Sequence, residues 1–331
     1  MTKVLVIRFS SIGDVVLTTP IIRCLKSQIN TVEVHVLTKV QFSPIFSANP
    51  NVDKVYALNN NEKELVKQLR SENYSHIIDL HKNIRSNYFK QKLKVRSTSF
   101  SKLNVQKWLA VNLKTWSLPD VHVVDRYFEA VRSLDVKNDQ KGIDYFIPSD
   151  EELCLKEYFG SNPFLAVTVG AKFATKALPL DKMCAILAQT DIKNIALLGG
   201  KEDQDKAMSI EKSLKTKNIK NFCGLLSLNQ SASVIRQSKV VLAHDTGLMH
   251  IAAAFKTPIV SVWGSTTPTF GMYPYRPNQK ETFTVHEVNN LACRPCSKIG
   301  YQKCPKKHFK CMENQNNEEI VAQIQRFYAT K

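Results

Sequence analysis

The sequence predicts an α/β protein of two domains, each a parallel sheet wrapped by helices. Three observations carry this prediction. Short apolar runs alternate with helix-like stretches almost throughout. The alternation restarts after about Asp150. The length, 331 residues, suits two domains of ordinary size.

Each element has its own signal. Residues 4–7 (Val-Leu-Val-Ile) form a continuous apolar run, as a strand buried on both faces requires, and residues 15–26 read as the helix after it. Residues 34–37, 54–56 and 76–79 are further strands with helical segments between them. In the second half, residues 165–168, 195–198, 240–243 and 259–262 are the strands. Residues 181–189, 203–215, 228–237 and 248–255 read as helices. The pattern is that of two Rossmann-like units joined near residues 145–163, with a last helix over 318–328. Ligands of such sheets bind at the carboxyl ends of the strands.

Composition narrows the function. Hydrophobic residues are 43% and charged residues 23% of the chain, which excludes a disordered or collagen-like protein. No stretch of about 18 apolar residues would cross a membrane, and the N-terminus lacks the apolar core of a secretory signal. Cytoplasmic residence is the expectation, and the eight cysteines then read as thiols or metal ligands. The net charge is +17, with 22 basic and 14 acidic side chains in residues 1–150 and 24 and 15 in residues 151–331. Such an excess favours an acidic partner: nucleic acid, phosphate, a phosphorylated lipid or an anionic membrane. Two stretches, 80–119 and 288–312, hold nine and six basic residues and no acidic one.

Four strand-to-helix loops carry the candidate chemistry. After the first strand comes Ser10-Ser11-Ile12-Gly13-Asp14-Val15, where Gly13 permits a tight turn and Asp14 opens a helix. Asp14 has two readings, a carboxylate on the helix dipole or a general base for a hydroxyl. The loop is not the GxGxxG of dinucleotide binding. Asp245 and Thr246 cap the helix in His244-Asp245-Thr246-Gly247-Leu248-Met249-His250. A helix N-terminus offers unpaired N–H groups to a diphosphate, and His250 lies in the first turn. The loop 169–176 brings Thr175 and Lys176, a point charge suited to phosphate. Gly199-Gly200-Lys201-Glu202-Asp203 brings a carboxylate suited to ribose hydroxyls.

In this order the segments resemble glycosyltransferase family 9, the ADP-heptose:lipopolysaccharide heptosyltransferases. The resemblance runs over most of the chain. It begins at Val4-Leu5-Val6-Ile7-Arg8-Phe9-Ser10-Ser11-Ile12-Gly13-Asp14-Val15-Val16-Leu17-Thr18-Thr19-Pro20 and continues through Asp79-Leu80-His81 and Arg85-Ser86. It ends with Cys223-Gly224-Leu225-Leu226-Ser227-Leu228, residues 245–254, Thr257-Pro258 and Trp263-Gly264-Ser265-Thr266-Thr267-Pro268. The chain departs from the family at Val169-Gly170-Ala171, Lys176-Ala177-Leu178-Pro179 and Gly264-Ser265-Thr266, which blurs the donor sugar but removes no candidate catalytic group.

The resemblance implies a GT-B fold: two Rossmann-like domains facing a central cleft, residues 1–155 for the acceptor and 156–315 for the nucleotide sugar. Residues 316–331 would be a helix packed back on the first domain. It implies an inverting glycosyltransferase of the heptosyltransferase II kind that moves a heptose from ADP-heptose to the inner core of lipopolysaccharide. Asp14 is then the general base, and Lys176 neutralises the departing diphosphate. Thr175, Glu202, Asp245, Thr246, Gly247, Leu248 and His250 bind the donor. Ser10, Ser11, Gly13, Lys82 and Arg85 bind the acceptor. No cofactor is required for catalysis. The acceptor is an anionic lipid A core carrying Kdo, so the enzyme would sit on the inner face of the bacterial inner membrane. Arg85, Lys90, Lys92, Lys94 and Arg96 would hold it there, with Trp108 and Trp116 as interfacial contacts.

Cys293, Cys296, Cys304 and Cys311 open with a CxxC and have His308 among them. The alternatives are a structural zinc, an iron–sulfur cluster, or thiols and disulfides without metal. Two other functions remain at this point: a same-fold transferase with another nucleotide-sugar donor, and a non-enzymatic basic binder of nucleic acid or other anions. The second leaves Asp14, Lys176 and the Asp245 loop unexplained and lacks a nucleic-acid module, so no nucleic-acid partner is expected.

Overall fold

A computed structural model describes residues 2–115 and 118–330. The chain divides into two units, Met1–Lys102 with Val121–Pro148, and Leu103–Asp120 with Ser149–Lys331. Trp116, one of the expected interfacial tryptophans, lies outside the described residues.

The first unit is built on β1 (Thr2–Ile7), β2 (Val32–Lys39), β3 (Lys54–Leu58), β4 (His76–Asp79) and β5 (Ser97–Ser99). All neighbours pair in parallel, in the order β3-β2-β1-β4-β5. Val4, Leu5, Val6 and Ile7 of the central strand are fully buried, as expected of a run covered on both faces. Each such side chain contributes about 1.5–3 kcal/mol by leaving water. From β1 the chain steps one way to β2 and β3, then returns to β4 and β5 on the other side. The crevice where the order reverses therefore opens beyond the ends of β1 and β4. Arg8 to Asp14 and Leu80 to Lys82 follow those two ends.

The second unit repeats the plan with β6 (Leu165–Thr168), β7 (Asn194–Leu198), β8 (Asn218–Asn221), β9 (Val240–His244), β10 (Ile259–Trp263) and β11 (Phe283–Glu287). The order is β11-β10-β9-β6-β7-β8, again all parallel. The reversal lies between β6 and β9, whose ends lead into residues 169–176 and 245–250. Both expected sheets are present, and each sets a candidate loop pair at its switch point.

Three features go beyond the sequence reading. Residues 103–120 belong to the second unit, where Lys114 Nζ donates to the carbonyls of Cys293 (3.1 Å) and Pro295 (2.8 Å), and Lys298 Nζ to that of Asn104 (3.0 Å). The final helix, Asn317–Ala329, packs its buried Ile320, Val321, Ile324 and Phe327 into the core of the second unit. It stays there because this apolar stripe meets the helix Leu180–Gln189 through Met183, Ile186 and Leu187. The edge strands β5, β8 and β11 have no counterpart in the sequence reading. Their sequences (STS, NIKN and FTVHE) have no continuous apolar run, and neighbouring backbone hydrogen bonds recruit them.

Candidate active site

In the first unit Arg8 and Asp14 meet at the end of β1. Asp14 lies in the short helix Ile12–Val16, which starts after Ser11. Its Oδ2 accepts from the Ser11 amide (3.1 Å) and from Ser11 Oγ (2.8 Å). Its Oδ1 faces Arg8 Nη2 at 2.5 Å. The Arg8 guanidinium is pinned further by the carbonyls of Ser10 (2.9 Å) and Leu80 (2.5 Å). The register that sets Ile7 beside Asp79 brings Leu80 within reach. Burial works against the charge on Arg8, but Asp14, Tyr127 and Asp79 together outweigh it, so the guanidinium stays protonated. Both sequence readings of Asp14 are compatible with this geometry. The carboxylate braces the helix start, yet keeps a quarter of its surface open.

Around this pair lie His81, Lys82 and Lys102. His81 packs edge-on against Phe9 at 5.0 Å and is pushed down to about 4 by burial, then by Arg8 and Lys102, so it is neutral at pH 7. Its Nδ1 is buried and finds no partner among the described residues. Lys102 is also lowered, by burial first and Arg8 second. Asp79, fully buried, accepts from the amides of His81 (3.0 Å) and Lys82 (2.6 Å) and so shapes the turn after β4.

Four of the expected cations are engaged. Lys90 sits 3.0 Å from buried Asp79 and neutralises it, so it is an internal counter-ion rather than a lipid contact. Arg85 Nε lies 3.3 Å from Glu62, and Lys82 Nζ donates to the Phe100 carbonyl (2.9 Å). Lys92 lies over the ring of Tyr88.

In the second unit Lys176 and Asp245 meet across the switch point of the sheet, with Nζ and Oδ2 2.6 Å apart. Asp245 Oδ2 also accepts from Thr266 Oγ1 at 2.8 Å. The helix Gly247–Ala254 begins directly after Thr246, whose side chain does not cap it. Thr246 Oγ1 is buried and has no partner among the described residues. The Lys176 turn is anchored through Thr175. Its Oγ1 contacts Ser265 Oγ (2.9 Å) and its amide donates to the Tyr301 carbonyl (3.0 Å). Gly264 is needed beside it, because a Cβ there would lie 2.5 Å from the Thr175 carbonyl. Leu248 and His250 lie on the same helix, with His250 almost fully buried.

A half-buried lysine and a buried histidine hold this loop from below, and the sequence alone did not single them out. Lys206 Nζ donates to the carbonyls of Val169 (3.2 Å) and Leu178 (2.5 Å). His244 Nε2 accepts the Leu178 amide at 3.0 Å, which requires a neutral ring. Burial, then Lys206, pushes its pKa down to about 3. Between pH 6.5 and that value the unfolded chain binds a proton that the folded chain refuses, so stability falls as pH is lowered through this window. Thermal melts should lose roughly 2–3 kcal/mol of stability between pH 6.5 and 4.5 through His244. His244→Gln should flatten that slope; an undiminished slope would assign it to other groups.

Glu202 is exposed in the turn Lys201–Asp203 and folds over Gly200, while Asp203 Oδ2 accepts the Gly200 amide at 2.9 Å. The four loop cysteines are free thiols. Cys293 Sγ lies 3.8 Å from His308 Nε2, and burial pushes the Cys311 thiol up to about 12. Among the described residues no three His, Cys, Asp or Glu side chains are grouped to hold a metal ion.

Comparison with known proteins bears on the family and the fold. The profile of Glycosyltransferase family 9 (heptosyltransferase) matches residues 63–303. Lipopolysaccharide heptosyltransferase 3 of Escherichia coli K12 is 23% identical over 323 residues, covering 89% of this chain and 88% of that protein. Lipooligosaccharide heptosyltransferase 2 of Campylobacter jejuni is 31% identical over 126 residues; the match covers 38% of this chain and only 37% of that protein. The solved structure of E. coli ADP-heptose LPS heptosyltransferase II superposes with a TM-score of 0.74 at 18% identity, covering 99% of this chain and 98% of that one. The fold is thus the GT-B fold of heptosyltransferases.

Proposed function

The chain belongs to glycosyltransferase family 9, and from that premise we propose that it moves a heptose from ADP-heptose to the inner core of lipopolysaccharide with inversion at the anomeric carbon. The acceptor hydroxyl attacks that carbon while the bond to the diphosphate oxygen breaks, and Asp14 takes the hydroxyl proton. ADP leaves with the electron pair. Its added charge is met by Lys176 and by the amides opening the helix Gly247–Ala254. Thr175, Thr246 and His250 complete the diphosphate site, and Glu202 reaches the ribose.

The observation that carries this reading is the Lys176–Asp245 pair beside an uncapped helix N-terminus, at the switch point of a parallel sheet. An incoming diphosphate can take over the ammonium that Asp245 holds. The superposed E. coli heptosyltransferase II is itself named for ADP-heptose, which supports the same donor here. On the acceptor side Ser10, Ser11, Gly13, Lys82 and Arg85 line the approach to Asp14, and we add Lys102 as a cation for an anionic lipid A core. A lipid-linked acceptor places the enzyme on the cytoplasmic face of the inner membrane. No helix among the described residues is long and apolar enough to cross it.

Calorimetric titration with ADP, UDP and GDP tests the donor. Selective ADP binding is the expected result. Preference for UDP or GDP would keep the fold and discard ADP-heptose, and absence of nucleotide binding would overturn the transferase reading.

A further inference from the structure

The helix Asn104–Asn112 is amphipathic in the wrong sense. It buries Ala110 completely and turns Val105 (67% exposed) and Trp108 (52% exposed) to solvent, with Leu113 exposed just beyond its end. At both ends it is clipped to the cysteine loop, through Lys298 to the Asn104 carbonyl and Lys114 to the carbonyls of Cys293 and Pro295. Ile299 and Tyr301, two more exposed apolar side chains, follow closely on Lys298. The result is an apolar ridge on the second unit.

The rim of this ridge is cationic. Lys298, Lys303, Lys306, Lys307 and Lys310 are all exposed, and no acidic residue occurs between Val288 and Met312. Arg294, the sixth cation of the stretch, is buried and paired with Glu287 at 2.7 Å, so it takes no part. A large aromatic flanked by aliphatic side chains and lysines suits the boundary between headgroups and acyl chains. A second copy of the chain would bring the same lysines against these, which disfavours self-association here.

We infer that this ridge is a membrane-docking surface, with Val105, Trp108 and Leu113 entering the interface of an anionic bilayer and the five lysines on its phosphates. The inference rests on the proposed lipid acceptor for its purpose but not for its physics. It moves the membrane contact from the run 82–96, where Lys90 serves Asp79, to residues 103–113 and 298–310.

The test is sedimentation of the full chain with phosphatidylglycerol/phosphatidylethanolamine vesicles and with neutral phosphatidylcholine vesicles. The wild type should pellet with the anionic vesicles only, and less at high salt. Val105→Ser with Trp108→Ser should weaken the affinity tenfold or more. Lys303→Glu with Lys306→Glu and Lys307→Glu should weaken it roughly a hundredfold. ADP titration serves as the control for folding in both variants. A wild type that stays in solution, or a Val105/Trp108 variant that pellets unchanged, overturns the inference. So does a wild-type dimer that the same variant dissociates, since a second copy would then cover the ridge. Vesicle docking by a protein that binds no ADP would sink the transferase reading and leave the ridge standing.

Discussion

Asp14→Asn should lower heptose transfer by 10²–10⁴-fold or more while leaving ADP affinity unchanged. The magnitude is that of a lost general base. The substitution conserves shape, and its amide oxygen can still accept from Ser11, which now donates to Oδ2 through its amide and hydroxyl. What disappears is the proton acceptor and the charge that faces Arg8 at 2.5 Å. A base acts only in the chemical step, so kcat should fall and the donor KM should not rise. The nucleotide loops lie in the other unit and use none of these contacts. One confounding effect has a separate signature. Arg8 is buried, and an uncompensated guanidinium destabilises the fold, which a melt of the variant measures independently. Unchanged turnover in a folded variant would remove Asp14 from its role and leave only its brace on the helix start.

What the sequence made legible follows from the kind of interaction involved. The central strands β1, β6, β9 and β10 announce themselves because strands buried on both faces need unbroken apolar runs. Asp14, Lys176 and Asp245 stand out because each is a charge soon after such a run, where an open sheet binds its ligands. Partners contributed by distant segments were not legible. Arg8 is visible as a cation after β1, but its pairing with the Leu80 carbonyl depends on the β1–β4 register. Lys90 reads as one of several surface cations until the fold sets it against buried Asp79. The transfer of residues 103–120 to the second unit rests on lysine-to-carbonyl bonds that join residues 104 and 114 to residues 293–298, and no local periodicity encodes such bonds. The final helix was legible as a helix, but its address was not, because an apolar stripe specifies burial without naming the surface that buries it.

Lys176→Ala should reduce transfer by about 10²–10³-fold, and unlike Asp14→Asn it should also weaken ADP binding. Two losses act together. The departing diphosphate loses its point charge, an effect greatest in the transition state. Asp245, almost buried and held by Thr266 at 2.8 Å, is left as an uncompensated carboxylate beside the helix that receives the phosphates. It then repels the ligand that the helix N-terminus attracts. The turn itself should persist, since Thr175 keeps its bonds to Ser265 and Tyr301 and Lys206 still ties the loop below. Lys176→Ala with Asp245→Asn separates the two losses. Removing the stray charge should restore part of the ADP affinity but little of kcat, so the two substitutions should not be additive. Single-turnover rates alongside calorimetry resolve the pattern. If the double variant binds ADP as weakly as Lys176→Ala, repulsion by Asp245 is not the cause. If Lys176→Ala transfers at the wild-type rate, the ammonium is only a partner for Asp245.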